Sequence, residues 1–154
     1  SQVLVLGAGG AARAIVTAMV KEKASKITIA NRTQENASKL ADFAKKIGGN
    51  VDTVLIQEAN KLMADYKFII NSTSIGMKNE PSPISTENIG KDSIVYDIVY
   101  QPINTDLIKK SKENGATIIY GYEMLLSQAA KAFEIWHKIE PPYDAMKKAL
   151  LGGF

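Results

Sequence analysis

The glycine-rich stretch near the start of the chain constrains the fold more than any other feature. Four consecutive apolar residues, 3–6, predict a buried strand, and they run directly into the pattern Gly-x-Gly-x-x-Ala over residues 7–12. Gly7 permits a sharp turn, Gly9 lets a pyrophosphate approach the backbone, and Ala12 lets the following helix pack closely on the sheet. The stretch predicts a dinucleotide site at a helix N-terminus, and a plain tight turn is the alternative.

Composition narrows the class of protein. The 154 residues are 45% hydrophobic and 23% charged, which is typical of one globular domain with a single core. The net charge of +3 is not concentrated in a run of Lys or Arg, so nucleic-acid binding is not indicated. The lack of Cys and the single His exclude metal sites built on clusters of these residues. No apolar run approaches the ~18 residues of a membrane span, and we expect a cytoplasmic protein without a membrane partner.

Strand and helix patterns alternate along the rest of the chain. Strands are predicted at residues 3–6, 26–30, 51–56, 68–71, 93–97 and 117–120. Helices are predicted at residues 11–23, 34–47, 106–114, 122–138 and 144–150, with a less regular helical segment at 58–64. Thr33 and Thr105 are the expected N-caps. This alternation predicts a three-layer, Rossmann-like α/β fold with a mostly parallel six-stranded sheet and helices on both faces.

The second predicted strand ends in Asn31-Arg32-Thr33, about 20 residues beyond the glycines, where an NAD site usually carries an acid. No acid is present here. Asn31 can hydrogen-bond a ribose, and Arg32 can pair with a 2′-phosphate. The pattern therefore favours NADP over NAD, and an arginine that merely faces solvent is the alternative.

Five blocks of the sequence, in order, resemble the shikimate dehydrogenase (shikimate/quinate dehydrogenase) family. They are Gly-Ala-Gly-Gly-Ala-Ala at 7–12, Asn-Arg-Thr at 31–33, Asn-x-Thr-x-x-Gly-Met at 71–77, Asp-x-x-Tyr-x-Pro-x-x-Thr at 97–105 and Gly-x-x-Met-Leu-x-x-Gln-Ala at 121–129. The resemblance implies that residues 1–154 are the C-terminal NADP-binding domain of an NADP-dependent oxidoreductase of aromatic amino-acid biosynthesis. That enzyme would interconvert 3-dehydroshikimate and shikimate with NADPH, and we expect the complete protein to be a homodimer.

The resemblance also implies roles for particular positions. The pyrophosphate would be held by Gly7, Ala8, Gly9, Gly10 and Ala11, and the adenosine ribose with its 2′-phosphate by Asn31, Arg32 and Thr33. The cofactor groove would be lined by Thr73 and Ser74, and the nicotinamide end by Ile98 and Gly121. Tyr100 and Gln128 would reach the substrate.

No catalytic residue and no metal ligand are assigned in this chain, because the family's catalytic Lys and Asp belong to an N-terminal domain. The chain begins two residues before its first predicted strand, and we expect it to be cut from a longer protein. We therefore expect binding without turnover.

Two positions depart from the family's pattern. Asn36 stands where the family often has a second basic residue, with Lys39 one turn further, so the 2′-phosphate would be held less firmly. Glu123 stands where many members have a small residue, and we expect it to cap the start of its helix. Helical spacing places Gln128 on an otherwise apolar flank, which suits a ligand or a second domain, and a core glutamine bonded to backbone is the alternative.

Other residues are given ordinary structural roles. Trp136 and the apolar positions before it on the same helix are expected in the core, and His137 is expected to end that helix. Asp97 is expected to bond loop backbone, and the lysines at 109, 110 and 112 to face solvent. Three alternatives for function stay open: a quinate or dual quinate/shikimate dehydrogenase using NAD or NADP, the nucleotide domain of a glutamyl-tRNA reductase, and a non-catalytic NADP-binding module.

Overall fold

The structure is a computed structural model that describes residues 1–153, and it is built on one six-stranded parallel sheet. The strands are β1 (Gln2–Leu6), β2 (Lys26–Asn31), β3 (Val51–Leu55), β4 (Phe68–Asn71), β5 (Ile94–Asp97) and β6 (Thr117–Ile119). The helices are α1 (Gly10–Lys21), α2 (Gln34–Lys46), α3 (Ile56–Ala59), α4 (Asp106–Glu113), α5 (Gly121–His137) and α6 (Tyr143–Gly152). A 3₁₀ turn covers Met63–Asp65.

The strand order is β3-β2-β1-β4-β5-β6, and all five pairings are parallel. The chain moves outward from β1 to β3, returns to pair β4 with β1, and then moves outward in the opposite direction. A parallel sheet of this kind has a crevice at the carboxyl ends of the two strands where the direction reverses, here β1 and β4. The predicted fold class is confirmed, and the sheet is entirely parallel.

Two separate apolar clusters, one on each face of the sheet, hold the layers together. Alternate residues of β1 point to opposite faces, as the two-residue period of a strand requires. Val3 and Val5 pack with the buried sides of α1 and α2, whereas Leu4 and Leu6 pack with α3 and α4. Ala12, the small residue predicted to let α1 approach the sheet, is completely buried in the first of these clusters.

Element boundaries differ from the predictions mostly by one or two residues. The helical segment predicted at 58–64 is instead the short helix α3 followed by the 3₁₀ turn. Thr105 caps α4 as predicted, since its Oγ1 accepts a hydrogen bond from the Ile108 N–H at 3.3 Å. Thr33 occupies the N-cap position of α2, but its side chain does not cap the helix. It accepts a hydrogen bond from Asn31 instead.

The expectation that Trp136 belongs to the core is wrong. Its side chain is 76% exposed, and Ile135 beside it is 53% exposed. The buried residues of α5, Gly121, Leu126 and Ala130, all lie in its first ten positions. A helix of 17 residues is about 25 Å long, far longer than the three-residue edge strand β6 that it follows, so its second half extends past the sheet.

Two kinds of feature are absent from the described residues. Residues 1–153 contain no helix with the length and apolar character needed to cross a membrane. Within the same range, acidic, His and Cys side chains form no group of three that could hold a metal ion.

Candidate functional site

The glycine turn at the end of β1 lies directly against the end of β4. Gly7 adopts a φ of +103°, which side chains other than hydrogen rarely tolerate. A Cβ atom at this position would lie 2.9 Å from Ser72 Oγ and 3.0 Å from Thr73 Cγ2. The Ser72 hydroxyl donates to the Leu6 carbonyl at 2.6 Å and locks the two strand ends together. Gly7 is therefore a glycine both for its conformation and for the close approach of β4.

The next two glycines face open space. A Cβ atom built on Gly9 or on Gly10 would meet no atom within 4 Å. Gly9 is the N-cap of α1 and provides no capping side chain, so the first N–H groups of the helix point into that space. The region above the start of α1 is thus shaped to admit an anion close to the backbone.

The end of β2 forms a small closed turn around Arg32. The Asn31 side-chain amide donates to the Thr33 carbonyl at 3.0 Å and to Thr33 Oγ1 at 3.1 Å. Arg32 lies between them and is exposed, and among the residues that the structure describes none forms a hydrogen bond or ion pair with it. The turn is held by its own side chains, and the guanidinium stays available for a ligand.

A buried polar network joins the ends of β4 and β5. Asn71 and Asp97 are both completely buried, and the Asn71 amide nitrogen donates to Asp97 Oδ1 at 2.9 Å. The same carboxylate accepts from the Val99 N–H at 3.0 Å and from Thr105 Oγ1 at 2.7 Å. Burial raises the pKa of Asp97 above its usual value, and these hydrogen bonds oppose the rise. The prediction that Asp97 bonds loop backbone is confirmed, although two side chains bond it as well.

The network extends into the loop after β4. Asn71 Oδ1 accepts hydrogen bonds from the backbone N–H and the hydroxyl of Thr73, at 3.1 and 2.7 Å. Further along the loop, Glu80 Oε2 accepts from the N–H groups of Gly76 and Lys78 at 2.9 and 2.8 Å. Both bonds lower the pKa of Glu80, and the bond from the Lys78 N–H has the larger effect. They also close the turn that carries the exposed Met77.

A cleft of about 670 Å³ opens beside this network. It is lined by five of the predicted site residues, Thr73, Ser74, Ile98, Tyr100 and Gln128. It is also lined by residues not assigned to the site from the sequence, among them Met77, Val99, Met124 and Leu125. Met77 could have been assigned to the site from the sequence, because it ends the Asn-x-Thr-x-x-Gly-Met block at residues 71–77. Gln128 is exposed in the cleft, so the alternative of a core glutamine is excluded.

Gly121 lies behind the cleft wall, at the start of α5. A Cβ atom here would come within 2.5 Å of the Val99 carbonyl oxygen and 2.6 Å of the Ile98 carbonyl oxygen. Only glycine lets α5 begin this close to the segment after β5. Two residues later, Glu123 Oε1 accepts from the Tyr120 N–H at 3.0 Å, which confirms its predicted capping role.

The predicted site residues therefore gather at one edge of the sheet, the carboxyl ends of the strands. The glycine turn and Arg32 lie on the β1–β2 side, and the cleft lies on the β4–β5 side. This fold, with a glycine turn at the switch point, defines the class of parallel α/β domains to which dinucleotide-binding domains belong.

The chain belongs to the Shikimate / quinate 5-dehydrogenase family, whose sequence model matches residues 1–88. The Shikimate 5′-dehydrogenase C-terminal domain matches residues 121–151. A curated relative, shikimate dehydrogenase (NADP(+)) of Nitrosopumilus maritimus, is 61% identical over 154 residues, which are 100% of this chain and 56% of the relative.

Solved structures of similar proteins agree with the family. Quinate dehydrogenase from Corynebacterium glutamicum in complex with NAD has a TM-score of 0.90 and 29% identity, covering 99% of this chain and 55% of that one. Shikimate 5-dehydrogenase from Thermus thermophilus in complex with NADP(H) and shikimate has a TM-score of 0.83 and 28% identity. The match covers 99% of this chain and 55% of that chain. The chain spans a little over half the length of the relatives it matches.

Proposed function

We propose that this chain is the NADP(H)-binding part of an NADP-dependent shikimate dehydrogenase. The observation that carries the proposal is Arg32, an exposed guanidinium without a protein partner in the described structure, in the turn after β2. An acid at this position of a dinucleotide site would repel a 2′-phosphate, whereas a guanidinium binds phosphate oxygens in a fork. The name of the Nitrosopumilus maritimus relative, which specifies NADP(+), supports the same cofactor.

The remaining cofactor contacts follow from the shape of the sheet edge. The open space at Gly9 and Gly10 suits the pyrophosphate, and the bonded pair Asn31 and Thr33 fixes the turn that would face the ribose. Thr73, Ser74 and Ile98 line the cleft in which the nicotinamide would lie, with Gly121 behind its wall. The bound cofactor would supply a hydride to, or take one from, a substrate carbon.

The substrate would be reached from the same cleft. Tyr100 is 41% exposed and lines the cleft together with Gln128, and both side chains can hydrogen-bond a hydroxylated ring such as shikimate. We assign no proton-transferring residue to this chain, and we propose that a separate N-terminal domain supplies it. The chain alone would bind NADP(H) without turnover, and shikimate oxidation by these 154 residues would contradict this.

A second candidate is a quinate or dual quinate/shikimate dehydrogenase that also accepts NAD. An ion pair in the first turns of α2 favours this candidate, since Lys39 Nζ lies 2.6 Å from Glu35 Oε1. Lys39 is thereby partly neutralised, and Asn36 carries no charge, so Arg32 would hold the 2′-phosphate with little help. Membership of the shikimate/quinate family removes the glutamyl-tRNA reductase alternative.

Calorimetric titration of NADP and NAD into the chain and into Arg32→Ala tests the cofactor. We expect wild type to bind NADP at least about tenfold more tightly than NAD, because a paired guanidinium and phosphate are worth about 1.5–3 kcal/mol. Arg32→Ala should remove that difference and leave NAD binding unchanged. Lys46→Ala, which removes an exposed charge at the far end of α2, is the control and should change neither. Equal affinities in wild type would overturn the NADP assignment.

Two properties of the complete protein are part of the proposal. We propose that it works in the cytoplasm and assembles as a homodimer. Light scattering on the complete protein after size-exclusion chromatography tests the second point, and a monomer across the micromolar range would contradict it.

A further inference from the structure

Asp97 is a buried carboxylate directly behind the wall of the cleft. It is completely buried, and its Oδ1 accepts a hydrogen bond from the N–H of Val99, which lines the cleft. Through Asn71 it is also connected to Thr73, which lines the cleft after β4. Asp97 thus contacts, directly or through one side chain, cleft-lining residues of the segments after β4 and after β5.

The hydrogen bonds around Asp97 favour its anionic form, whereas burial opposes that form and raises the pKa of the carboxyl. Its three partners, Asn71, Val99 and Thr105, all donate hydrogen bonds to it, which is the arrangement that a carboxylate requires. Within the described part of the chain, no Lys or Arg forms an ion pair with it. The N-terminus of α4, reached through its cap Thr105, offers only partial positive charge. A negative charge on Asp97 is thus opposed by no full positive charge, and solvent screens it weakly at this buried position.

We propose that Asp97 biases the cleft toward the oxidised nicotinamide, whose ring is positively charged, over the neutral reduced ring. The proposal rests on the proposed function, which puts the nicotinamide against Ile98, the residue next to Asp97. A fixed anion behind the cleft wall attracts the cationic ring and has little effect on the neutral ring. Bound NADPH then becomes a stronger hydride donor, because the protein binds the product of hydride loss more tightly.

Glu123 is a second carboxylate at this end of the sheet. It lies in the first turn of α5, where it caps the helix, and it is only partly buried. Its charge reaches Tyr96, whose pKa is raised first by burial and then by the charges of Glu123 and Asp97. Since Glu123 is nearer to solvent, we assign the larger effect on the ring to Asp97.

The test compares two variants that separate charge from hydrogen bonding. Asp97→Asn removes the charge and keeps a side chain of the same shape, whose amide can donate to Thr105 Oγ1. Thr105→Val removes the hydrogen bond from Thr105 to Asp97, together with the N-cap bond from the Ile108 N–H, and leaves the charge. The control is Asp92→Asn, which makes the same change of net charge at an exposed position just before β5, at the other end of that strand. For each chain, the Kd of NADP⁺ and of NADPH is measured by fluorescence or calorimetry.

We expect wild type to bind NADP⁺ more tightly than NADPH. Asp97→Asn should shift the ratio of the two Kd values about tenfold toward NADPH, the effect of one charge over roughly 10 Å at an effective dielectric constant of about 20. Asp92→Asn should leave the ratio unchanged, and Thr105→Val should weaken both cofactors alike.

An unchanged ratio in Asp97→Asn, or an equal shift in Thr105→Val, would overturn the proposal. If Asp97→Asn does not fold, wild type still tests it, because equal binding or a preference for NADPH contradicts a bias toward the oxidised ring. Failure of wild type to bind either form would instead overturn the proposed function.

Discussion

The two sides of the sheet edge are built in opposite ways. On the β1–β2 side, the turn at Asn31 is closed by bonds to its own neighbour Thr33, and Arg32 stays exposed. On the β4–β5 side, Asn71 is completely buried and bonds Asp97, 26 residues away. One side leaves its charged group free for a ligand, and the other uses its charged group within the protein.

This difference separates recognition from positioning. Side chains on the β1–β2 side can be changed with little effect on the fold, because few other groups depend on them. On the β4–β5 side, Asn71 and Thr105 are buried and both bond the buried Asp97, so removal of either takes a hydrogen bond from that carboxylate. Substitutions on the two sides should therefore differ in whether they change stability or binding.

The largest effect is expected at Gly121. Gly121→Ala places a Cβ about 2.5 Å from the carbonyl oxygens of Val99 and Ile98, so the backbone must move. We expect a loss of about 3 kcal/mol of unfolding free energy and a fall in Tm of roughly 6–12 °C. Thermal denaturation followed by circular dichroism measures it. A Tm within 1–2 °C of wild type, within the noise of ~0.5 kcal/mol, would contradict the close packing of α5 on the segment after β5.

The two asparagines at strand ends form a matched pair. Asn71→Ala leaves the Thr73 N–H and the Ile75 carbonyl without their Asn71 partner and takes one of three hydrogen bonds from Asp97, and we expect a cost of about 2–3 kcal/mol. Asn31→Ala breaks only bonds within its own exposed turn and should cost less than about 1 kcal/mol. Urea denaturation of both variants checks the difference. Equal costs would show that the two sides are not built differently.

Gly10→Ala should separate binding from stability. The added Cβ meets no protein atom within 4 Å, and alanine suits a helix better than glycine, so stability should stay level or rise by up to about 1 kcal/mol. The same Cβ would occupy the space proposed for the pyrophosphate. We expect NADP binding to weaken about tenfold or more, which is about 1.4 kcal/mol, as measured by calorimetry. Unchanged affinity would move the pyrophosphate away from Gly10.

The smallest effect is a difference in how two aspartates near Thr105 make stability depend on pH. Asp97 accepts a hydrogen bond from Thr105, and Asp106 follows Thr105 in the chain. Burial raises the pKa of Asp97, so its contribution to stability is fully present below the unfolded value of 3.8 and is lost as pH rises through the folded pKa. The pKa of Asp106 is lowered, mainly by the hydrogen bond from Lys110 and then by the hydrogen bond from the Ser82 N–H. Its contribution is present above 3.8 and is lost as pH falls through the folded pKa.

Urea denaturation between pH 7 and pH 3 tests this pair. As pH falls, wild type should gain stability relative to Asp97→Asn and lose stability relative to Asp106→Asn. The second change should stay below about 1 kcal/mol, because the Asp106–Lys110 pair lies at the surface. Parallel pH curves for wild type and Asp97→Asn would show that burial does not control this carboxyl.

The sequence predicted local features well where one segment decides them. Thr105 and Glu123 cap their helices as expected, because a cap involves residues three positions apart. Thr33 occupies an N-cap position, but its hydroxyl accepts from Asn31. Asn31 is also close in sequence, but the preference of threonine for N-cap positions does not show which hydrogen bond its hydroxyl accepts.

The prediction for Trp136 failed for a reason outside its own helix. The pattern of apolar residues identified a helix correctly, but burial depends on whether a neighbouring layer faces that part of it. Beyond Ala130 no residue of α5 is buried, and the apolar side chains of Ile135 and Trp136 are exposed.

By itself, the sequence determined the order of strands and helices, the glycine turn and the arginine after β2, because each depends on residues a few positions apart. Tertiary structure alone decided that Asn71 and Asp97 meet, since they are register partners in the pairing of β4 with β5. It also decided why position 121 must be glycine, because the atoms that exclude a side chain there belong to residues 98 and 99. Local pattern specifies conformation, whereas the pairing of distant strands determines which side chains share a buried, weakly screened environment.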